Sequence, residues 1–138
     1  MKNIVVGISD AETSKVAGRQ AFEIAEKFGA TVHVVTAVES AEHVSIEVGS
    51  DRYVFDDVDA ARTAIAAFAE SLGSTAAFKV VAVDDKPAKA LLDTAKFVDA
   101  DLIVVGNVRM QGVGRVLGSV GDAVLRHAPC SVLIVKTV

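Results

Sequence analysis

Glycines concentrate in one stretch of the chain, residues 106–119, which follows an apolar run and precedes a helix-like segment. Glycine leaves backbone N–H groups uncovered, and a helix N-terminus adds further N–H groups with a favourable dipole. This is the local chemistry of a site for phosphate or another anion. The sequence shows no metal-ligand cluster, no nucleophile paired with a base and no basic stripe. We therefore expect an anion-binding site, with neither catalytic residues nor a metal.

The composition indicates one globular domain that spans residues 1–138. About half of the residues are hydrophobic, at 51%, and the single cysteine, Cys130, excludes an intramolecular disulfide and fits a reducing compartment. The net charge of −4 argues against non-specific binding to nucleic acid or to anionic membranes. Because no apolar run approaches the roughly 18 residues of a membrane span, we expect a soluble, cytoplasmic protein.

Short β-branched runs alternate with amphipathic segments, which predicts the element order βαβαβαβαβ. The predicted strands are residues 4–8, 31–38, 78–83, 102–105 and 131–135. Gly29 and Gly73 predict the ends of the first two helices, Pro87 predicts the start of the third, and residues 118–127 form the fourth. Residues 39–53 are mixed and polar, and we expect them to form a mobile loop.

Near-continuous apolar strands alternating with helices favour a doubly wound α/β fold. Such a fold has a five-stranded parallel sheet with helices on both faces. Right-handed crossovers make 3-2-1-4-5 the natural strand order. In that order the switch point lies between strands one and four. The loops Ser9 to Thr13 and Gly106 to Gly118 would then face each other across one crevice, where ligands bind in such sheets.

Three segments carry a resemblance to a known family, and the resemblance covers nearly all of the chain. The opening Val6-Gly7-Ile8-Ser9-Asp10-Ala11-Glu12-Thr13-Ser14 is similar to Val-Gly-Val-Asp-Gly-Ser-Glu-Thr-Ser in universal stress proteins of the UspA type. The fourth-strand segment Ala100-Asp101-Leu102-Ile103-Val104-Val105-Gly106 and the last segment Ala128-Pro129-Cys130-Ser131-Val132-Leu133-Ile134-Val135-Lys136 also match the family. The resemblance implies the fold of the adenine nucleotide alpha hydrolases.

The ATP-binding branch of that family carries Gly-x-x-Gly, then eight or nine residues, then Gly-Ser or Gly-Thr. Gly106 matches the first glycine and Gly118-Ser119 matches the final pair, with Val120 next in the same helix start. The second glycine position is occupied by Arg109. The resemblance therefore implies that a nucleotide contacts this loop. The loop departs from the family pattern at one position, the second glycine.

A second departure lies in the first loop. The family's acidic residue at the end of strand one, which approaches the adenosine end of the nucleotide, falls on Ser9, and Asp10 is displaced by one position. Ser9 keeps hydrogen-bonding capacity but lacks the carboxylate that accepts strongly from hydroxyls. Val38, at the end of strand two, matches the position whose backbone lies near adenine in nucleotide-bound members.

Two alternatives stay open for Arg109 and two for Ser119. Arg109 in place of glycine either blocks the approach of a phosphate or replaces a lost backbone contact, since a guanidinium binds phosphate oxygens bidentately. Ser119 is either a phosphate contact or the N-cap of the last helix, and the two roles are compatible.

Three functions are compatible with these patterns. The preferred one is a regulatory module of the stress response that binds ATP or AMP, with or without Mg²⁺, and does not turn it over efficiently. The alternative is a UspA-like interaction protein with a degenerate crevice that binds no nucleotide. A slow ATPase is not excluded, but the sequence shows no positioned general base for it.

The last strand is apolar and falls at the predicted edge of the sheet. An uncovered edge of this kind invites pairing with another chain. The family resemblance implies a homodimer through antiparallel contact of the last strands, Ser131 to Val138, and we expect a dimer rather than a monomer with a short protected edge.

Overall fold

The computed structural model describes residues 1–9, 12–38, 44–48, 51–55, 57–107 and 118–137. The strands are β1 (Asn3–Gly7), β2 (Thr31–Ala37), β3 (Val44–Val48), β4 (Asp51–Phe55), β5 (Phe78–Val83), β6 (Leu102–Gly106) and β7 (Ser131–Val135). The helices are α1 (Glu12–Phe28), α2 (Asp57–Ser71), α3 (Pro87–Phe97) and α4 (Ser119–His127).

Five of the strands form one parallel sheet in the order β5-β2-β1-β6-β7. With the β3–β4 pair set aside, this is the order 3-2-1-4-5 and confirms the expected doubly wound topology. The central strand β1 pairs with β2 on one side and with β6 on the other, in registers that include Val6↔Val34 and Val6↔Val104. The chain crosses from β5 through α3 to β6, past the two strands between them, and this crossover creates the switch point.

The central strands β1 and β6 are almost entirely apolar because both faces of the sheet are covered there. Ile4 and Val6 point to one face, where they pack in a core that includes residues of α1 and α2. Val5 and Ile103 point to the other face, where α3 and α4 complete a second core. All four side chains are fully buried. Helices on both faces were expected, and these two cores confirm them.

The prediction of an irregular loop over residues 39–53 is wrong for part of that segment. β3 and β4 pair antiparallel as a separate two-stranded sheet, with Val44 opposite Phe55 and Val48 opposite Asp51. The sequence contains a signal for this arrangement, because Val44, Ile46 and Val48 alternate with polar residues, a pattern typical of a strand.

Helices α1 and α2 end close to the glycines that predict their ends. Gly29 and Gly73, just after α1 and α2, have φ values of 65° and 59°, and this left-handed conformation lets glycine close a helix without strain. Asp99, after α3, adopts a similar φ of 51°. No helix in the described part of the chain has the length and apolarity needed to cross a membrane.

Candidate functional site

A cavity of about 290 Å³ opens at the carboxyl ends of the central strands. α1, which follows β1, packs on one face of the sheet, and α4, which follows β6, packs on the other, so a crevice lies between the starts of these two helices. The described residues that line it are Gly7, Ile8, Ser9, Thr13, Ser14, Val35, Ala37, Pro87, Leu91, Val105, Gly106, Gly118, Ser119, Val120 and Gly121.

The N-terminus of α4 forms one wall of the cavity. Gly118 is the N-cap, with φ −60° and ψ 160°, and the N–H of Asp122 donates to the Gly118 carbonyl at 2.9 Å as the first bond of the helix. The N–H groups of Ser119, Val120 and Gly121 come before that bond, so α4 itself offers them no acceptor. These three residues line the cavity, which makes this wall suited to an anion.

The expectation that Ser119 caps α4 is wrong. Gly118 occupies the N-cap position, and Ser119 is the first residue with helical conformation. Gly118 has no side chain, so no side-chain cap is made, and the Ser119 hydroxyl forms no hydrogen bond with another described residue. Ser119 is exposed and lines the cavity, and its contact with a phosphate stays a prediction.

The floor of the cavity is apolar and closely packed. It includes Val35 and Val105 from the strands and Leu91 from α3, all of them buried. A Cβ atom added at Gly7 would lie 3.2 Å from two methyl carbons of Leu91, so glycine lets α3 approach the end of β1. Gly106 has a comparable role at the end of β6, where a Cβ would lie 3.1 Å from the Thr137 methyl.

The wall opposite α4 is built from hydroxyl groups. Ser14, in the first turn of α1, accepts a hydrogen bond from the Ser9 N–H at 2.9 Å and donates to the Ser9 carbonyl at 2.9 Å. The two hydroxyl oxygens lie 3.2 Å apart. These contacts link the residues after β1 to the first turn of α1, and both serines line the cavity.

Charged groups near the starts of α1 and α3 pair with one another. Lys15 contacts Glu12 at 3.0 Å, and Lys89 contacts Asp85 at 3.1 Å. The hydrogen bond from Lys89, and then the one from the Lys86 N–H, hold the pKa of Asp85 below its ordinary value. Glu12 and Lys89 are exposed, Lys15 and Asp85 are half-buried, and none of the four lines the cavity.

The structure brings together most of the site residues expected from the sequence. Ser9, Gly106, Gly118, Ser119 and Val120 all line this cavity, so the described ends of the two predicted loops meet at the switch point. Their contact with a ligand stays a prediction.

Three expected site residues are not placed in the cavity. Val38 lies outside its lining, and its N–H donates to the Val83 carbonyl at 2.8 Å, so that N–H is not free to bind a base. Asp10 and Arg109 lie outside the described residues. The two alternatives for Arg109 therefore both stay hypotheses.

Several lining residues were not expected to belong to the site. Ser14 comes from the start of α1, Ala37 from the end of β2, and Pro87 and Leu91 from α3. The available signal was positional: in the predicted topology every strand end and helix start near the switch point shares this edge of the sheet.

His33 lies away from the cavity, nearer the amino-terminal edge of the sheet. It is buried, and its Nε2 lies 2.9 Å from Asn3 Oδ1, an acceptor that selects the tautomer with the proton on Nε2. Burial, and secondarily the charge of Lys79, lower the pKa of His33 from 6.5.

Burial raises the pKa of the half-buried Cys130 thiol, and Asp101 adds to that effect. Among the described residues no three acidic, His or Cys side chains group as a metal site.

Comparisons with known proteins agree with this architecture. Residues 1–136 match the model of the Universal stress protein family. Relatives from Staphylococcus saprophyticus and Staphylococcus epidermidis, both named as universal stress proteins, are 28% identical over 99% of this chain and 84% of their own length.

Solved structures show the same fold. A universal stress protein in complex with cAMP is 30% identical, with a TM-score of 0.74 over 99% of this chain and 98% of the other. A universal stress protein of Archaeoglobus fulgidus in complex with dAMP is 21% identical, with a TM-score of 0.67 over 99% and 98%. The match of the family to nearly the whole sequence, together with these relatives and the shared sheet topology, shows that the chain belongs to the universal stress protein family.

Proposed function

We propose that this chain is a cytoplasmic regulatory module of the stress response that binds an adenine nucleotide in the switch-point cavity. The observation that carries the proposal is the wall formed by α4, where the N–H groups of Ser119, Val120 and Gly121 precede the first helical hydrogen bond. Open N–H groups at a helix N-terminus are a ready site for phosphate. The apolar floor at Val35 and Leu91 offers a surface for a base.

The relative in complex with cAMP supports adenine nucleotides as the ligand class, because it is 30% identical and superposes over nearly the whole chain. The polar side chains on the described lining are hydroxyls: Ser9, Thr13, Ser14 and Ser119. The described lining includes no Asp, Glu, His or Lys side chain that could act as a general base, so we propose binding and release rather than efficient hydrolysis. A slow ATPase activity is compatible with this proposal.

Isothermal titration calorimetry with ATP, AMP and cAMP, with and without Mg²⁺, tests the proposal. Heat of binding for at least one of them, with a matching thermal shift, is the expected result. No heat and no thermal shift for all three would contradict it. Hydrolysis of ATP with multiple turnovers per minute would contradict the regulatory role.

A matched pair of variants at Ser119 isolates the backbone contribution. Ser119→Ala removes the hydroxyl, whereas Ser119→Pro removes both the hydroxyl and the N–H. Proline suits this first helical position, and the extended conformation of Gly118 is compatible with a following proline. Because a hydrogen bond to a charged group contributes about 1.5–3 kcal/mol, we expect the proline variant to bind at least tenfold more weakly than the alanine variant. Equal affinities would show that the N–H does not contact the phosphate.

A second candidate function is an interaction protein of the same fold that binds no nucleotide. The observation that favours it is Ser9, which is bonded to Ser14 where the family resemblance implies an acidic residue. Arg109, at a glycine position of the ATP-binding pattern, adds to it. Arg109→Gly separates the alternatives: tighter nucleotide binding means that Arg109 blocks the site, and weaker binding means that it contacts phosphate.

We propose further that the chain forms a homodimer through its last strand, within Ser131 to Val138. β7 lies at the edge of the sheet and pairs with β6 alone among the described strands. Its apolar residues Val132, Leu133 and Ile134 are half-buried, whereas the strands at the centre are fully buried. An exposed apolar edge favours pairing with a second copy about a two-fold axis. Light scattering at micromolar concentration should give twice the mass of 14.3 kDa, and a monomer would contradict the proposal.

A further inference from the structure

Large apolar side chains are exposed mainly at the amino-terminal edge of the sheet, opposite the cavity. After α1, the Thr31 N–H donates to the Lys2 carbonyl at 2.9 Å. After α3, the Val98 carbonyl accepts from Asn3 Nδ2 at 3.1 Å, so both helices end beside the start of β1. Among the described residues five large apolar side chains are exposed, and four of them lie at this edge: Met1, Phe28, Phe97 and Leu125. The fifth, Val16, lies near the start of α1.

Phe97 and Phe28 are the most exposed of these four side chains. They are the last residues of α3 and α1, and they are 90% and 59% exposed. Single exposed apolar residues are common on protein surfaces, whereas a group of them marks contact with another apolar body. The amino-terminal edge is therefore a candidate docking surface.

Each of the four exposed apolar side chains has a basic neighbour in the sequence. The pairs are Met1-Lys2, Lys27-Phe28, Lys96-Phe97 and Leu125-Arg126, and all four basic residues are exposed. Over the last turn of each helix and the residues that lead into the next strand, five Lys and Arg side chains stand against four Asp and Glu side chains. The bases are Lys2, Lys27, Lys79, Lys96 and Arg126, and the acids are Glu26, Glu70, Asp99 and Asp101. Because the whole chain carries a net charge of −4, its acidic excess lies away from this edge.

Two of the carboxylates at this edge are engaged within the fold. Asp101 accepts from the N–H groups of Lys2 and Asn3 at 2.6 and 3.0 Å. Glu26 accepts from the Ser74 hydroxyl. Lys27 and Lys96, in contrast, form no ion pair with another residue of the described ranges. These two lysines, each next to an exposed phenylalanine, are thus open to anionic groups from outside the chain.

The arrangement of these side chains suits a lipid surface better than a protein partner. α1 packs on one face of the sheet and α3 and α4 pack on the other, so Phe28 and Phe97 end helices on opposite faces. A protein interface has a contiguous apolar core inside a polar rim, whereas here a charged residue follows or precedes every apolar one. The fluid acyl region of a bilayer accepts separate apolar side chains while neighbouring lysines reach the headgroups.

We propose that the amino-terminal edge docks on the surface of a lipid bilayer that contains anionic lipids. Phe28, Phe97 and Leu125 enter the boundary of the acyl chains, and Lys27 and Lys96 contact the headgroup phosphates. The net charge, on which the expectation of no binding to anionic membranes was based, is an average over the chain and does not describe this edge. The cavity stays accessible because it opens at the opposite edge of the sheet, so docking does not depend on the proposed function.

Flotation of the full chain with vesicles tests the proposal. One set of vesicles contains phosphatidylcholine with phosphatidylglycerol, and the other contains phosphatidylcholine alone. We expect binding to the mixed vesicles that becomes about tenfold weaker, or more, in a Phe28→Ser, Phe97→Ser double variant, because insertion of the two rings supplies most of the apolar contact. Val16→Ser is the matched control and should bind as the parent does. No binding of the parent to the mixed vesicles, or equal losses in the double variant and the control, would overturn the proposal.

A Lys27→Gln, Lys96→Gln double variant tests the contact with headgroups. Its binding to the mixed vesicles should be about tenfold weaker than that of the parent, with no change on phosphatidylcholine. Lys86→Gln with Lys89→Gln is the matched control, since it removes two exposed charges at the other end of α3. Equal binding of the two double variants to the mixed vesicles would overturn the role of the anionic lipid.

Light scattering distinguishes a protein occupant of this edge from a lipid surface. The phenylalanine variant should have the mass and the circular dichroism spectrum of the parent. A lower mass for this variant, with no binding of the parent to vesicles, would mean that the edge contacts a second copy and would overturn the proposal. A chain that binds the mixed vesicles but no nucleotide would support docking and contradict the proposed function alone.

Discussion

Gly18 of α1 lies directly over Ile8, the residue that connects β1 to the cavity. A Cβ atom added at Gly18 would lie 2.5 Å from Ile8 Cδ1 and 3.1 Å from Phe68 Cε2. Ile8 is 3% exposed, so its side chain has little room to withdraw. Gly18→Ala therefore tests whether the close approach of α1 to the end of β1 requires glycine.

The expected magnitude is a balance of two effects. Overpacking of a filled core costs about 1–3 kcal/mol, whereas alanine is favoured over glycine inside a helix by about 1 kcal/mol. The net result for Gly18→Ala is a loss of up to about 2 kcal/mol in the free energy of unfolding. Helix propensity alone would predict a gain of about 1 kcal/mol, so the sign of the change discriminates between the two effects.

Ile8→Val provides the matched test because it removes the atom at 2.5 Å, Cδ1. By itself this variant should cost about 0.5–1.5 kcal/mol. In combination with Gly18→Ala it relieves the clash, so the two changes should be coupled by about 1 kcal/mol or more, a value typical of residues in contact. Urea denaturation followed by circular dichroism of the four proteins measures the coupling. Additive losses, or a Gly18→Ala protein more stable than the parent, would refute the reasoning.

Three further predictions concern stability. Gly29→Ala and Gly73→Ala should each lower the free energy of unfolding by about 1 kcal/mol, and the two losses should add, because both positions have positive φ and open space around a Cβ. Urea denaturation that shows no loss for either variant would contradict this. The pKa of His33 lies below 6.5 in the folded protein, so the unfolded chain takes up the proton first and the free energy of unfolding should fall as the pH drops below about 6.5. His33→Gln should reduce that fall, and equal dependence of the free energy of unfolding on pH in the two proteins would refute the prediction. Asn107 Oδ1 accepts from the N–H and hydroxyl of Thr137 at 2.7 and 2.9 Å, so Asn107→Ala should speed amide exchange at Thr137, whereas Asn107→Asp, which keeps the acceptor, should not.

Strands buried on both faces could be predicted well from the sequence. The apolar run at residues 102–105 falls within β6, where all four residues are buried, because a strand covered by helices must be apolar on both faces. The β3–β4 pair does not follow from the composition of its segment, which is mixed and polar and contains Gly49, although Val44, Ile46 and Val48 alternate as in a strand. Strand order followed from the handedness of the crossovers rather than from any single residue.

The location of the site was predictable, but its fine geometry was not. Gly106 and Gly118 indicated the cavity because bare backbone at a strand end and a helix start has few other uses. Whether Gly118 or Ser119 caps α4 depends on one residue's backbone angles, which local sequence does not determine. The bonding of Ser9 to Ser14 and of Val38 to Val83 likewise depends on how the neighbouring strands and helices pack.

The central claim is that the N-terminus of α4 binds the phosphate of an adenine nucleotide. The most direct measurement is a titration of the ¹⁵N-labelled protein with AMP, followed by the chemical shifts of its backbone amides. The account predicts the largest saturable shifts at Ser119, Val120 and Gly121, with smaller shifts at Gly106 and Ser9 across the cavity. Saturable shifts confined to other parts of the chain, or no shifts at millimolar AMP, would contradict it.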